Sequence, residues 1–332
     1  MAERDILDER TYDRLVEPHR NELRAHCYRM LGSAHDAEDA LQEALLRAWR
    51  GLGKFEGRSS LRSWLYTITT NVCLKAIERR PKLVLPIDYG PAADPHDAPG
   101  ERLLEPLWIE PFPDEASARD DAPDARYERR ESIELAFIAA LQHLPARQRA
   151  VLILRDVLAF SAREVAQALD MTPGAVDAAL QRAHKTVDDR LPERSQQATL
   201  RALGDEGLRV LVDEFVAAWE RADVDAVVAM LADDPAITMP PIPTWFRGRE
   251  AVAAFLREWP LARPAPRRVL PTRANGQLAF GHYNWDAGRQ VFVPEAFDVL
   301  TLHGAKIAEI TAFLEPEAFA RFGLPDEIAP ER

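Results

Sequence analysis

Leu15, His19, Leu23, Cys27 and Met30 recur at spacings of four and three, an apolar stripe that predicts one helix from about Asp8 to Leu31. Gly32 and Ser33 interrupt it. A second helix opens in the acidic turn at Asp36 and carries Ala40, Leu41, Ala44, Leu45, Ala48 and Trp49 as far as Gly51 and Gly53. A third begins near Ser59 or Ser60 and reaches about Arg80, where Pro81 ends it. Nine prolines then fall between Pro81 and Pro123, and periodic apolar positions become scarce, so this stretch reads as an extended linker. Trp108, Ile109 and Phe112 break its polarity and are its candidate docking points.

Helical periodicity resumes near Tyr127 and continues through Ile133, Phe137, Ile138, Leu141 and Leu144. Pro145 makes a turn, and Val151, Leu152, Leu154 and Val157 extend the core pattern. Ser161 and Glu164 form a capping-box signature for a short helix ending at Leu169. Thr172 and Pro173 suit the N-cap and first position of another, Thr172 to Val187. Two short helices joined by Leu169, Asp170 and Met171 match a helix-turn-helix. After a polar break at Pro192 to Ala198 the pattern changes. A helix from Leu208 to Leu231 and another from Arg249 to Trp259 are followed by β-rich runs at Leu278–Trp285, Gln290–Val293, Phe297–Leu302 and Ala305–Phe313. The fold class expected is therefore multidomain: two all-α modules and a C-terminal α+β domain. The expected boundaries are 8–82, 83–126 (linker), 127–192 and 205–325.

Charge changes the picture. The chain of 332 residues carries a formal net charge of −12, which argues against a free-standing DNA binder. Its distribution argues otherwise: Ala44–Lys82 holds nine basic residues against two acids, whereas Leu83–Glu131 holds thirteen acids against five arginines. One segment suits nucleic acid and the next avoids or imitates it. The two cysteines, Cys27 and Cys73, form no Cys-x-x-Cys pair and read as small buried hydrophobes, not as a disulfide or zinc site. The N-terminus shows no signal peptide and no run is long enough to span a membrane, so a cytoplasmic protein without membrane contact is expected.

Asp36, Asp39 and Glu43 share one helix face beside Gln42, a pattern that by itself suits a solvated acidic surface. Phe55, Trp64, Tyr66 and Asn71 lie among Arg58, Ser59, Arg62 and Lys75. Aromatic rings stack on unpaired bases, an amide pairs with base edges and cations hold the backbone, so the set suits single-stranded DNA. Trp64 and Tyr66 also fit a plain core role.

The stretches DAEDALQEALLRAW (Asp36–Trp49) and FEGRSSLRSWLYTITTN (Phe55–Asn71) resemble region 2 of the extracytoplasmic-function sigma factors, and Leu144–Lys185, beginning LPARQRAVLILRDVLAFSAREVAQAL, resembles their region 4. The resemblance covers about the first 190 residues. It implies a region 2 helical bundle whose Asp36, Asp39, Gln42 and Glu43 dock on the β′ clamp helices of core RNA polymerase. It also implies a −10 site of promoter DNA formed by Phe55, Arg58, Ser59, Arg62, Trp64, Asn71 and Lys75, with Asn71 and the Phe55–Ser59 loop capturing a flipped base. Region 4 would meet the β flap and place Thr172, Gly174, Ala175, Ala178, Gln181, Arg182 and Lys185 near a major groove. The chain departs from the family where a basic residue and a Ser-Arg pair are usual, having Asp177, Ala178 and Ala179, so weak or unusual −35 reading is expected. The acidic linker fits either a path through the polymerase's cationic channel or a soluble tether.

Residues from about Leu208 to Leu324 resemble a SnoaL-like domain, a cone of helices on a curved sheet, through LVDEFVAAWERADVDAVVAML and TMPPIPTWFRGREAVAAFL. The candidate pocket residues are Trp245, His282, Tyr283, Trp285 and Asp286, with His303 a further candidate. No complete acid–base set is recognisable, so neither an enzyme nor a cofactor is expected, and any small-molecule ligand is unidentified. The combined expectation is a sigma factor regulated in cis. An autonomous helix-turn-helix regulator with a ligand-sensing domain and a SnoaL-type isomerase or cyclase with a DNA-binding appendage remain the alternatives.

Overall fold

The computed structural model describes residues 9–103, 108–114, 133–262 and 265–330. It falls into two compact units, Met1–Leu83 with Leu135–Leu191, and Val84–Glu134 with Pro192–Arg332. The predicted helical start at Tyr127 lies outside the described residues.

In the first unit the expected opening helix is divided. Glu9–Val16 and Arg20–Leu31 are separated by a 3-10 turn, Glu17–His19, that contains Pro18. A proline inside a helix lacks the N–H that the preceding turn needs. Arg20–Leu31 packs with Ala34–Leu52 and Leu61–Ile77 over Leu23, Cys27, Met30, Leu41, Leu65 and Cys73. Both cysteines are buried free thiols. The helix-turn-helix follows from Leu135–Gln142, Ala146–Leu152, Ala162–Leu169 and Pro173–Asp188. Its two caps form as read: Ser161 and Glu164 make the reciprocal capping box, and Thr172 Oγ1 accepts the Ala175 N–H at 3.2 Å.

One arginine ties the two helical modules together. Buried Arg149 donates to the Met30 carbonyl and, at 2.5 Å, to Gln142 Oε1; its other nitrogen reaches the carbonyls of Gln142 and Leu144 at 3.3 Å. Burial lowers its pKa to about 10, so it stays charged at neutral pH. Gly32, at φ +73°, ends the preceding helix, and a Cβ there would stand 3.1 Å from the Gln142 amide. The join thus requires a glycine both for its dihedral and for the close approach.

The second unit is a six-stranded sheet in the order β2-β1-β6-β5-β4-β3. The strands are β1 (Leu231–Met239), β2 (Ile242–Arg247), β3 (Arg267–Ala274), β4 (Gln277–Asp286), β5 (Val291–His303) and β6 (Lys306–Phe313). All neighbours are antiparallel except β1 and β6. Helices Gln196–Glu220, Val224–Met230 and Arg249–Glu258 contribute Phe215, Val227, Phe255 and Leu256 to a core shared with Phe246, Phe280, Leu300 and Ile310. The expected helix from Leu208 to Leu231 begins earlier, at Gln196, with a break at Gly204, and gives way to β1. The two separate β runs around Pro294 are one strand.

The proline-rich segment is not a free tether. Trp108, Ile109 and Phe112 are buried. Along β2, Ala93 N–H donates to the Trp245 carbonyl (2.9 Å), Gly100 N–H to Thr244 Oγ1 (2.9 Å), and the Trp245 indole to the Gly90 carbonyl (2.8 Å). At the β3–β4 turn, Asn275 Oδ1 accepts from Phe112 N–H (2.8 Å), its backbone N–H returns a bond to the Phe112 carbonyl (2.9 Å), and Nδ2 donates to the Ile133 carbonyl (2.7 Å). Glu134 then accepts from the Gln196 and Gln197 N–H groups at the start of the long helix. The sheet's edges are β2 and β3, and the segment satisfies the Trp245 carbonyl on the first and makes one isolated bridge, Pro113 to Ala274, at the end of the second.

Two outcomes are expected. Arg149→Met keeps the volume but strands the carbonyls of Met30, Gln142 and Leu144, and should cost about 3 kcal/mol in chemical denaturation. His26 is buried, 2.8 Å from Thr70 Oγ1, and burial lowers its pKa to about 3. Below its unfolded value of about 6.5 the unfolded chain takes up a proton that the folded chain refuses, so this contribution is full above pH 6.5 and is lost as pH falls toward 3. Between pH 6.5 and 5.5 wild type should lose about 1 kcal/mol more than His26→Gln.

Candidate functional site

Helix Ala34–Leu52 presents Asp39, Gln42 and Glu43 to solvent, as expected of a docking face. Asp36 does not belong with them. It sits on the first turn, almost fully buried, with its N–H on Ser33 Oγ (3.0 Å) and its carboxylate against the Arg80 guanidinium. A capping turn so close to the next helix's end draws that acid inward. The same helix exposes Leu46 and also Trp49, which the periodicity placed with the core; Trp49 meets the Tyr12 ring edge-on, 4.9 Å between centroids. The acidic face is thus continuous in sequence with two exposed apolar side chains.

Ser60 caps helix Leu61–Ile77 through the Ser63 N–H (3.0 Å) and so fixes which residues face outward. Trp64, Asn71 and Lys75 follow at spacings of seven and four, which puts them on one side of the helix. Trp64 is half-buried, packed against Gly51 and tilted on Phe55 at 5.1 Å, while Asn71 and Lys75 are exposed. The Asn71 amide donates to the Thr67 carbonyl at 2.9 Å, leaving its oxygen outward-facing as an acceptor. Arg58 and Ser59 are exposed on the preceding loop, Arg58 beside Glu56 at 3.0 Å. Tyr66 belongs to the core: it is fully buried, its hydroxyl donates to Glu22 Oε2 at 3.2 Å, and burial holds its pKa well above the usual phenol value.

Arg62 is engaged by the helix-turn-helix module. Its guanidinium lies 4.8 Å from the Phe160 ring and 5.0 Å from Tyr66, donates to the Leu158 carbonyl at 3.4 Å and faces Glu22 at 3.5 Å. Cation–π and carbonyl contacts of this kind compete with phosphate for the same donors.

On helix Pro173–Asp188 the exposed positions include Thr172, Gly174, Ala175, Gln181, Arg182 and Lys185, with Ala178 half-buried. Asp177 is exposed among them, while Ala179 turns into the core. The face therefore offers two cations and one opposing carboxylate.

In the second unit a cavity of about 240 Å³ opens between the helices and the sheet. His282 and Tyr283 line it. Three other expected members do not: Trp245 holds the Gly90 carbonyl, Trp285 packs on Phe292, and Asp286 caps the β4–β5 turn through the Gly288 and Arg289 N–H groups. Strand alternation and the turn turn them away. His303 is exposed. The cavity instead gathers Trp219, Glu295 and Asp298. His282 Nε2 stands 2.9 Å from Asp298 Oδ2, both side chains buried. Glu295 is the extra residue of a β-bulge opposite His282 and Tyr283, and burial raises its pKa. A lone aspartate inside the apolar run Phe297–Leu302 was the available sequence signal for Asp298. No group of metal-ligating side chains occurs among the described residues, and no helix among them is long and apolar enough to cross a membrane.

Comparison with known proteins follows the same divisions. Residues 15–82 match the Sigma-70 region 2 model, 134–187 the Sigma-70 region 4 model and 212–310 the SnoaL-like domain model. The chain is 41% identical over 329 residues to the ECF RNA polymerase sigma factor SigG of Mycobacterium tuberculosis, covering 98% of this chain and 87% of that one. Over 194 residues it is 29% identical to the RNA polymerase sigma-H factor of Pseudomonas aeruginosa, covering 58% of this chain and 91% of that one. Among solved structures, the extracytoplasmic function sigma factor SigJ of M. tuberculosis shares the fold at TM-score 0.60 and 23% identity, covering 93% of this chain and 98% of that one.

Proposed function

Because the chain belongs to the ECF RNA polymerase sigma factors, we propose that it binds core RNA polymerase through Asp39, Gln42, Glu43, Leu46 and Trp49, and captures melted promoter bases with Phe55, Trp64 and Asn71. Arg58, Ser59, Lys75 and, once released, Arg62 hold the strand. Unstacking bases costs a few kcal/mol per step, which stacking and amide contacts offset without any bond chemistry on this chain. It acts in the cytoplasm, where polymerase and promoter meet, as a specificity subunit and not as a catalyst. Helix Pro173–Asp188 reads duplex DNA through Gln181, Arg182 and Lys185, weakened by Asp177.

The C-terminal unit acts in cis as a brake. The observation that carries this reading is the clamp at Asn275: described residues between the two sigma regions, Phe112 and Ile133 among them, hydrogen-bond to the SnoaL-like domain. A segment so fixed restricts the separation of the regions it joins. Arg62, occupied by Phe160 within the helical unit, fits a closed state that must open before DNA is held.

Run-off transcription with core polymerase tests the brake. Asn275→Ala removes two side-chain bonds worth about 1 kcal/mol each and should raise output from a cognate promoter by up to roughly thirtyfold at limiting protein. Output equal to wild type, with the linker shown by proteolysis to be loosened, would contradict it. On the recognition helix, Asp177→Lys should tighten duplex binding and steepen the log–log salt dependence by about 1, measured by fluorescence anisotropy.

A further inference from the structure

Helix Pro173–Asp188 carries a carboxylate, Asp177, on the side it turns to solvent. Val176, Ala179, Ala183 and Val187 face the core and so define the outer face. At about 3.6 residues per turn, the line opposite that core runs through Gly174, Ala178, Gln181 and Lys185, with Asp177 and Arg182 flanking it. Asp177 and Gln181 are exposed, and the fold gives neither side chain a partner among the described residues. Gly174 is not held in the left-handed region, and a Cβ there would meet nothing within 4 Å. Neither its dihedral nor its packing therefore calls for glycine. With Ala178 it keeps the centre of the face low, which lets the backbone come close to a base edge and carries the flanking side chains to it.

The first turns of a recognition helix are those that meet base edges. From Pro173 to Leu180 the one charged residue is Asp177, so the arginine or lysine that pairs with guanine O6 and N7 has no counterpart there. An ionised carboxylate only accepts hydrogen bonds. In the major groove guanine shows two acceptors and thymine an acceptor and a methyl group, and both oppose it. Adenine sets its N6 donor beside the N7 acceptor. Cytosine presents its N4 amino group with no acceptor of its own next to it, and is the base a carboxylate fits best. Gln181 lies one turn on from Asp177, and its amide offers the donor and acceptor that complement adenine N6 and N7.

We propose that Asp177 is the specificity-determining residue of this helix: its carboxylate accepts from the N4 amino group of one cytosine, and Gln181 takes an adenine nearby. This rests on the duplex-reading role given to the helix above. The same carboxylate lowers affinity for every duplex, by opposing phosphate, and raises selectivity among them.

The test offers holoenzyme, assembled from core polymerase and the full-length chain, a cognate promoter with its −35 element randomised, and sequences the bound duplexes. Wild type should favour C·G in one orientation at one position, by roughly fivefold over each other pair. Asp177→Ala should relax that position alone. Asp177→Asn, whose amide suits adenine, should move the preference there to A·T, with adenine on the strand that held cytosine. Gln181→Ala should relax a neighbouring adenine and leave the cytosine in place. A wild-type selection with no favoured C·G pair, or a C·G preference that survives both Asp177 substitutions, would overturn the assignment and leave the helix a reader of duplex DNA. Indifference to the entire randomised element would overturn the assignment and the duplex reading together.

Discussion

Hydrogen bonding of the proline-rich segment, through backbone and side chains, at the two edges of a β-sheet is the constraint on which the rest of this molecule depends. A sheet of six strands has two edges, and each exposes N–H and C=O groups that need partners. Here both lie beside the same stretch of chain: near β2 it is held by Ala93, Gly100 and Leu103, and near β3 by Pro113 and the Asn275 clamp. The segment has little means to fold by itself, because its prolines remove donors and it has few apolar positions. On the sheet it gains both, and Trp108, Ile109 and Phe112 supply the burial that offsets the entropy of ordering it.

Covalent connectivity turns this local packing into a device. The same stretch that completes the C-terminal unit runs between the helical module with Trp64 and Asn71 and the module with Gln181 and Arg182. A domain that would otherwise be an appendage is thereby tied to the one span of chain whose freedom sets how far apart the two modules can be. Within the helical unit, Arg149 and Arg62 make a second, independent set of contacts between the modules. One is buried and structural; the other uses a side chain whose chemistry suits phosphate. In the proposed cis regulation, a closed state built from a few such contacts would differ from an open one by a few kcal/mol, the range in which a partner or ligand can shift populations.

Much of this was legible in the residues. The caps at Ser161 and Thr172, the break at Gly32, and the exposure of Asn71 and Lys75 follow from local rules of periodicity and side-chain chemistry. Asp36 did not follow, because its fate is decided by Arg80, far along the chain, and no spacing rule sees that pairing. The first three strands escape the sequence pattern for a different reason. Pro235, Pro243 and Pro271 argue against strands, yet β2 and β3 are edges, where a missing donor costs little, and β1 shifts register before Ala236. The cavity is half legible: His282 and Tyr283 stand out as aromatic or titratable residues in a β run, but Asp298 and Trp219 acquire meaning only when strand and helix meet.

Hydrogen exchange along residues 91–103 and at Phe112, followed in the free chain and then in its complex with core polymerase and promoter DNA, addresses the central claim most directly. The account predicts slow exchange in the free protein and a marked loss of protection once the open complex forms. Protection that persists unchanged in the open complex, or that is missing from the free chain, would contradict it.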